Sequence, residues 1–311
     1  MEFFKKTNIP FMRWKWHAIA LSTLVNLVGI ASFVWPGFQF GLDFTGGTLI
    51  EVGYKEPADL NQIRTALEGA GFGGATVQNF GSSREVMIRL QPKGDANAQA
   101  LSDKVFATLS EAAGGQVELR RVEFVGPQVG ADLTEQAILA VLYALIGILI
   151  YVALRFEYRY AVGAVIATIH DVVFVLAVFT IFRLEFDLNV LAAVLAVIGY
   201  SLNDTVVIYD RIRENFRKVR KGTPEEVINL SVNETLSRTI MTGGTTVITL
   251  VSLYVFGGEV ISGFALALLV GIFVGTYSSI YVGSAAVLLL GVSRADMMPV
   301  EKEGATLDGL P

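Results

Sequence analysis

The stretch LNVLAAVLAVIGYSLNDTVVIY, residues 188–209, decides the fold of this 311-residue chain. It is apolar almost throughout and long enough to cross a hydrocarbon core about 30 Å thick, which takes roughly 20 helical residues. One acidic residue, Asp204, lies inside it, and Arg211 follows shortly after its end. The first expectation is therefore a membrane helix whose charge has a function, because a charge at membrane depth is costly and is rarely kept without one.

The composition extends this expectation to the whole chain. Hydrophobic residues make up 53% and charged residues only 17% of the chain, and the mean hydropathy is +0.55, which is too apolar for a soluble protein of this length. Five further apolar runs are long enough to span a bilayer: 17–35, 136–154, 160–182, 239–256 and 261–291. The sequence therefore predicts a polytopic α-helical membrane protein with six transmembrane helices.

Several function classes are excluded by what the sequence lacks. It contains no cysteine, so disulfides, thiol catalysis and thiolate metal sites are ruled out. The two histidines, His17 and His170, are too far apart for an HExxH zinc site. A net charge of -5 argues against nucleic-acid binding, which needs a basic face for the phosphates. We therefore expect neither an enzyme nor a metal or cofactor site.

Three glycines, Gly69, Gly71 and Gly74, match the G-x-G-x-x-G spacing of dinucleotide-binding proteins. In that motif a strand precedes and a helix follows, so that the helix N-terminus meets the pyrophosphate. Here a predicted helix precedes and a predicted strand follows, which indicates a glycine-rich helix end and turn. The sequence has no Walker motif either. Any work across the membrane must therefore draw on an ion gradient or on a partner.

Basic residues next to the spans predict the orientation, because Lys and Arg there are retained on the cytoplasmic side. On one side of the six predicted spans lie Lys5, Lys6, Arg13, Lys15, Arg155, Arg159, Arg211, Arg213, Arg217, Lys218, Arg220, Lys221, Arg294 and Lys302. The short loops on the other side hold only Arg183 among basic residues. Both termini are therefore expected on the cytoplasmic side of the membrane.

Residues 37–134, between the first two spans, form the one large polar region. Strands are predicted at 48–54, 76–80, 85–90 and 117–125, helices at 57–70 and 95–113, and a hairpin at Gly81-Ser82-Ser83. The order βαββαβ is typical of a ferredoxin-like α+β domain. The predicted organisation is thus residues 1–36 (N-terminus and first helix), 37–134 (extracytoplasmic domain), 135–292 (helices two to six) and 293–311 (cytoplasmic polar tail).

Short connections join this domain to the spans. We interpret five residues at these connections as hinge or coupling residues: Asp43, Gly46, Gly47, Gly126 and Pro127. Glycine permits backbone angles that other residues resist, and proline fixes the chain direction. A rigid mechanical junction is the alternative interpretation.

Two groups of polar residues inside the spans are candidates for a proton pathway. Asp204 lies between Asn203 and Thr205, and Arg238 enters the fifth span from the same side at comparable depth. Exclusion of water favours the protonated form of an aspartate, whereas a nearby guanidinium favours the ionised form. The pair is therefore either a proton-gated switch or a permanent lock between two helices.

The second group is His170 and Asp171, in the middle of the third span. Histidine titrates near neutral pH and suits a proton relay. Hydrogen bonds to facing Ser, Thr or Asn side chains would satisfy both residues without transport, so both interpretations stay open. In the sixth span, four small residues recur at every fourth position and are expected to serve close helix packing only: Gly271, Gly275, Ser279 and Gly283.

Specific strings carry a resemblance to a known family. They are GLDFTGG at 41–47, FVGPQVG at 124–130, RFE at 155–157, the run 199–215, and NETLSRT at 233–239. In this order around six spans, they resemble the SecD/SecF family of bacterial protein translocase subunits, in particular its SecF branch, within the resistance-nodulation-division (RND) superfamily. The resemblance covers nearly the whole chain.

The resemblance implies half of an RND-type helical bundle that works with SecD. It implies an auxiliary subunit of the Sec translocase that uses the proton-motive force to drive late stages of protein export across the inner membrane. Asp204 and Arg238 would then lie on the proton path. The implied partners are SecD, the SecY/SecE/SecG channel with SecA, YajC, YidC and the unfolded preprotein. Half of a small-molecule or lipid exporter of the same superfamily, and a scaffold without motor function, remain as alternatives.

Overall fold

The computed structural model describes residues 7–91, 98–219 and 221–293. Six helical segments among them are long and apolar enough to cross a membrane, which confirms the six-span prediction. The predicted basic residues Lys5, Lys6, Arg220, Arg294 and Lys302 lie outside the described residues, as do residues 95–97 of the predicted second domain helix and nearly all of the predicted tail.

The elements, in chain order, are a 3-10 turn (Phe11–Trp14), α1 (Lys15–Val34), β1 (Gln39–Phe40), α2 (Leu42–Thr45), β2 (Gly47–Tyr54), α3 (Leu60–Gly69), β3 (Thr76–Phe80), β4 (Ser82–Leu90), α4 (Ala98–Ala112), β5 (Val117–Val125), α5 (Pro127–Arg155), α6 (Tyr158–Ile181), β6 (Glu185–Phe186), α7 (Leu188–Lys218), α8 (Pro224–Phe256), α9 (Glu259–Ser278), a π-helical turn (Ser279–Gly283) and α10 (Ser284–Leu289). The spans are α1, α5, α6, α7, α8 and the continuous segment from α9 to α10.

The domain between α1 and α5 is a four-stranded antiparallel sheet in the order β3-β4-β2-β5. This is the strand order of the ferredoxin-like fold that the βαββαβ pattern predicts. Along β2, Ile50 and Val52 are buried because alternate residues of a strand point to the same face. They pack with Leu67 of α3 and Leu109 of α4 in one apolar core. Both helices therefore cover the same face of the sheet.

The hairpin between β3 and β4 has a turn of one residue, whereas a turn of three residues was predicted. Gly81 alone turns the chain, with φ +72°, and β4 begins at Ser82, which pairs with Phe80. Upstream of this hairpin, the glycine-rich segment after α3 is the predicted helix end, with Gly71 in the left-handed region at φ +87°. Nothing in this arrangement resembles a dinucleotide-binding turn.

Several helices extend well beyond the apolar runs that predicted them. The α8 helix begins at Pro224 instead of 239, and Thr223 and Glu226 form a reciprocal capping box at its start. The α7 helix continues past 209 to Lys218, where Asn215 donates to Ser231 of α8 at 3.0 Å. Hydropathy reports only the lipid-covered part of a helix, whereas caps and polar contacts decide where the helix ends.

Close packing of α7 on α9 confirms the interpretation of the glycines. A Cβ atom on Gly271 would lie 2.1 Å from Val197 Cγ2, and one on Gly275 would lie 3.1 Å from Ser201 Cβ. The expectation for Ser279 was incomplete, because its Oγ lies 2.8 Å from Thr205 Oγ1 and so forms a hydrogen bond between the two helices. The π-helical turn that begins at Ser279 was not predicted.

Candidate functional site

Asp204 lies deep in the bundle on α7. It follows Leu188, the first residue of that helix, by 16 positions, which at 1.5 Å per residue is about 24 Å from the domain side. Its exposed fraction is only 4%, and its Oδ2 atom has no hydrogen-bond partner among the described residues. A buried carboxylate oxygen without a donor is unusual, because most buried polar atoms are paired.

Arg238 lies on the neighbouring helix α8, about 27 Å from its end at Phe256 by the same measure, and so at a depth close to that of Asp204. The Coulomb attraction of Arg238 acts on Asp204. Within the part of the chain that the structure describes, however, the two side chains form no ion pair within 4 Å. Arg238 is exposed on the bundle surface, as is Asn203. Asp204 and Arg238 therefore attract each other without direct contact, and they do not form a permanent ion pair between α7 and α8 in this structure.

Asp171 has the opposite environment. It is fully buried, and its Oδ2 accepts hydrogen bonds from Ser201 Oγ at 2.5 Å and from Ser278 Oγ at 2.7 Å. Its Oδ1 lies 2.9 Å from His170 Nδ1. These contacts join α6 to α7 and α9. Both oxygens of the Asp171 carboxyl group therefore have polar partners, three in all.

Thr205 belongs to the same set of contacts between helices. It is buried, donates to the carbonyl of Ser201 at 3.2 Å and shares a hydrogen bond with Ser279. Sequence reasoning missed Ser201 and Ser278 as the partners of Asp171. The only sequence signal for these partners was that both serines lie within apolar runs. That signal is weak, because serines in such runs commonly bond to their own helix backbone.

The connection between α1 and the domain is hydrogen-bonded to the start of α7. Asp43 Oδ2 accepts a hydrogen bond from the backbone N–H of Leu188 at 3.0 Å, while the N-cap residue Asp187 accepts from Val190 N at 2.8 Å. The short strands β1 and β6 pair in parallel beside this point, and Gly41 N donates to Phe186 O at 2.8 Å. The helix that carries Asp204 is therefore held at its domain end by a residue of the predicted coupling set.

An ion pair strengthens this junction. Arg89 of β4 pairs with Glu185 and also donates to the carbonyl of Phe40 at 3.0 Å. Burial raises the pKa of Glu185 above its usual range, the Arg89 charge opposes that rise, and the nearby carboxylates of Asp187 and Asp43 add to it. Sequence reasoning missed Arg89 and Glu185, because two single charges far apart in the chain carry no spacing signal.

The other predicted coupling residues meet at a tightly packed corner between the domain and α5. Gly46 and Gly47 have φ +66° and +121°, in the left-handed region that favours glycine. A Cβ atom on Gly46 would lie 3.1 Å from Pro127 Cα, the first residue of α5. Gly126 is the N-cap of α5. The two chain connections of the domain are thus in direct contact with each other.

The fold and the site define a polytopic membrane protein with one ferredoxin-like domain and a buried carboxylate in its fourth span. Residues 105–293 match the family model for the C-terminal part of the protein export membrane proteins SecD and SecF, and residues 33–58 match the model of the SecD/SecF GG motif. The chain belongs to the SecD/SecF family of protein export membrane proteins. The GG-motif match includes Asp43, Gly46 and Gly47.

Similar proteins in bacteria carry the name protein translocase subunit SecF. The one from Vibrio alginolyticus is 53% identical over 306 residues, which cover 98% of this chain and 97% of that protein. The one from Escherichia coli O157:H7 is 48% identical over 95% of this chain and 92% of that protein.

Among solved structures, the chain resembles SecDF from Thermus thermophilus, described as a translocon-associated membrane protein. The TM-score is 0.81 and the identity 38%, over 91% of this chain. A second structure, SecDF in a super-membrane-facing form, matches with a TM-score of 0.70 and 36% identity. In both comparisons this chain spans 39% of the length of the SecDF chain. The RND-like half-bundle expected from the sequence is therefore confirmed at the level of fold.

Proposed function

We propose that this chain is the SecF-type auxiliary subunit of the Sec protein translocase, and that with a SecD-type partner it uses the proton-motive force to drive late stages of protein export. The observation that carries the proposal is Asp204, a buried carboxylate with an unpartnered oxygen on a helix whose far end is held by the domain. Such a group can change its protonation without breaking a hydrogen bond.

The energetics are adequate for such a switch. One charge that moves through 100 mV releases about 2.3 kcal/mol, which shifts a two-state equilibrium by roughly 50-fold. Protonation of Asp204 removes its Coulomb attraction to Arg238, which changes the forces between α7 and α8 at this depth. Since Asp43 binds the start of α7, a resulting movement of α7 reaches the domain. The chain can thereby couple a proton to a change at the domain side of the membrane.

The proposed complex contains more than this chain. The matched SecDF chains extend well beyond the part that this chain covers, which supports a second subunit of the SecD type. We further propose association with the SecY/SecE/SecG channel and SecA, and with YajC and YidC, around an unfolded preprotein. The basic residues Arg155, Arg211 and Lys218 at the bundle end opposite the domain support cytoplasmic termini and an extracytoplasmic domain.

Cells that lack their own SecF-type subunit provide the test. Expression of this chain together with its SecD-type partner is expected to restore preprotein secretion, and gentle detergent extraction is expected to recover both subunits together. Expression of the partner alone is the control. Recovery of this chain only as a monomer, with no restored secretion, would contradict the proposal.

Asp43 provides a test of coupling between the domain and α7. Asp43→Ala removes the acceptor for Leu188 N, at a cost of about 0.5–2 kcal/mol for a lost cap, and releases the start of α7 from the domain. Secretion is expected to fall several-fold while the amount of complex stays normal. The matched control is Asp59→Ala, which removes the cap of α3, where Asp59 accepts from Asn61 N and Gln62 N within the domain only. Equal secretion by the two variants would contradict coupling through Asp43.

For His170 and Asp171, we propose a structural role, in which they hold α6 to α7 and α9, rather than a proton relay. The reason is that both carboxyl oxygens of Asp171 already have hydrogen-bond partners. Asp171→Asn keeps an oxygen for the two serines and presents its NH₂ to His170, whose tautomer can change to accept it. Secretion is therefore expected to stay near normal in Asp171→Asn. Asp171→Ala leaves buried polar groups unpaired, at about 1–3 kcal/mol each, and is expected to lower the thermal stability. Loss of secretion in an assembled Asp171→Asn complex would support a relay instead.

A further inference from the structure

Two side-chain contacts define how α7 and α8 lie beside each other. Towards the end opposite the domain, Asn215 Nδ2 donates to Ser231 Oγ at 3.0 Å. Closer to the domain, the hydroxyl group of Tyr200 donates to Thr246 Oγ1 at 3.4 Å. The contacts are 15 residues apart on both helices, from 200 to 215 on α7 and from 231 to 246 on α8. The two antiparallel helices therefore keep one register over this whole length.

This register places Arg238 one helical turn from the level of Asp204. The residue of α8 that lies level with Asp204 is Thr242, whichever of the two contacts is used for counting. Arg238 precedes Thr242 by four residues, so its backbone lies about 6 Å further from the domain. Counting from the helix ends gives a similar depth for the two charges, and the side-chain contacts define the remaining offset between them.

A second carboxyl group lies one turn from Arg238 on its other side. Glu234 precedes Arg238 by four residues on α8. Side chains four apart on a helix are neighbours, and a glutamate on the N-terminal side of a basic residue is the favourable order. Arg238 is therefore placed between two carboxyl groups, with Asp204 towards the domain and Glu234 away from it. A guanidinium is always charged, so both groups attract it.

The position of Glu234 is fixed by contacts to both sides of its helix. Its Oε2 accepts hydrogen bonds from Arg211 Nε at 2.6 Å and from Asn215 Nδ2 at 2.7 Å, both on α7. The preceding residue, Asn233, exchanges two hydrogen bonds with the backbone of Ile9, at 2.8 and 2.9 Å. This turn of α8 is thus bound by α7 and by the N-terminal segment. Glu234 cannot follow Arg238 without breaking these contacts.

The other charged groups on the elements that pack against α7 and α8 are engaged elsewhere or lie far from the pair. The middle turns of α5 and of α9 carry no acidic or basic residue. The remaining groups are His170 with Asp171 on α6, Asp210 with Arg155, Lys15 with Glu225, Arg213, which donates to the carbonyl of Arg155, and Glu259 at the domain end of α9. Glu234 is therefore the carboxyl group best placed to compete with Asp204.

We infer that Glu234 is a positioning residue for the proton switch, because it competes with Asp204 for the guanidinium of Arg238. While Asp204 is ionised, Arg238 is attracted in both directions and forms no ion pair with it. When Asp204 is protonated, only the attraction to Glu234 remains. Without Glu234, Arg238 closes on Asp204, and such an ion pair holds an aspartate in its ionised form. The inference rests on the proposed function, in which Asp204 changes its protonation.

The pH dependence of proton flux tests this competition. Flux is measured in membrane vesicles that contain the whole complex, with the pH changed equally on both sides at constant membrane potential. Glu234→Gln keeps an oxygen that accepts from Asn215 but removes the charge. Arg238 is then attracted by Asp204 alone, so protonation of Asp204 requires a more acidic medium. The pH at half-maximal flux is expected to fall by about one unit.

Arg211→Gln is expected to shift the profile in the opposite direction. It removes the cation that binds Glu234 from α7, so the charge of Glu234 acts on Arg238 without competition. Arg238 is drawn away from Asp204, whose protonation then becomes easier. The pH at half-maximal flux is expected to rise. A structural tie between α7 and α8 predicts no such pair of opposite shifts.

Two control variants separate the charge of Glu234 from its contacts. Glu214 of α7 accepts from Nη1 of the same Arg211 at 2.5 Å, on its own helix. Glu214→Gln thus removes an equal charge from the same arginine and is expected to leave the pH at half-maximal flux unchanged. Asn215→Ala breaks a contact of Glu234 but keeps its charge. It is expected to lower the thermal stability and to leave that pH unchanged as well.

Equal half-maximal pH values in Glu234→Gln, Glu214→Gln and the unsubstituted chain, at equal abundance of complex, would overturn the inference and leave Glu234 as a structural tie. If Glu234→Gln does not assemble, Arg211→Gln decides, and the absence of a rise there would overturn the inference. Failure of the proposed function has a different signature, because Asp204→Asn would then keep normal proton flux. The two failures are thus distinguishable in one set of membranes.

Discussion

Membranes that carry Asp204→Asn are expected to contain normal amounts of the complex and yet to secrete preprotein only at the level seen without the subunit. The amide keeps the shape of the carboxylate but cannot titrate. The change also breaks no hydrogen bond at Oδ2, because that atom has no partner among the described residues. Complex abundance, secretion and proton flux should be measured in the same membranes, and Asp204→Glu is expected to keep part of the activity.

Asp210→Asn on the same helix is the matched control. Asp210 pairs with Arg155 at 3.0 Å near the membrane boundary, and both side chains are about half exposed. Such surface pairs contribute about 0–1 kcal/mol, so Asp210→Asn is expected to secrete normally. If the chain is only a scaffold without motor function, the Asp204→Asn complex either assembles and secretes preprotein normally or does not assemble. Normal secretion and normal proton flux in a fully assembled Asp204→Asn complex would rule out the proton switch.

Gly271→Ala is expected to be the most destabilising methyl addition in the bundle. Its Cβ atom would lie 2.1 Å from Val197 Cγ2 and 2.7 Å from Val197 Cγ1, far inside van der Waals contact. Separation of α7 from α9 then lowers the free energy of unfolding by about 1–3 kcal/mol, as overpacking does. Thermal unfolding in detergent and the yield of complex are the measurements.

Gly147→Ala in α5 is the control, because nothing lies within 4 Å of the added Cβ atom. It is expected to be neutral, or to stabilise the helix by about 0.5–1 kcal/mol. The double variant Gly271→Ala with Val197→Ala removes the two methyl groups that collide and is expected to recover stability. If Gly271→Ala unfolds at the same temperature as Gly147→Ala, the close approach of α7 and α9 does not limit stability.

The location of the candidate site was predictable in part. Asp204 and Arg238 were recognisable because charges are conspicuous in apolar runs, and their equal depth followed from counting residues along each helix. Whether they form a closed pair was not predictable, because side-chain contact depends on how α7 and α8 face each other. The same limit applies to Asp171, since Ser201 and Ser278 come to it from two other helices.

The sequence by itself determined six spans, their order and a ferredoxin-like domain between the first two. The reason is that burial in lipid requires continuous apolar runs, whereas a half-buried sheet requires alternation, and both patterns are local. Only the tertiary structure decided the contacts that connect domain and bundle, namely Asp43 with the start of α7 and Arg89 with Glu185. These pairs are separated by 145 and 96 residues in the chain, so only packing of the whole molecule brings them together.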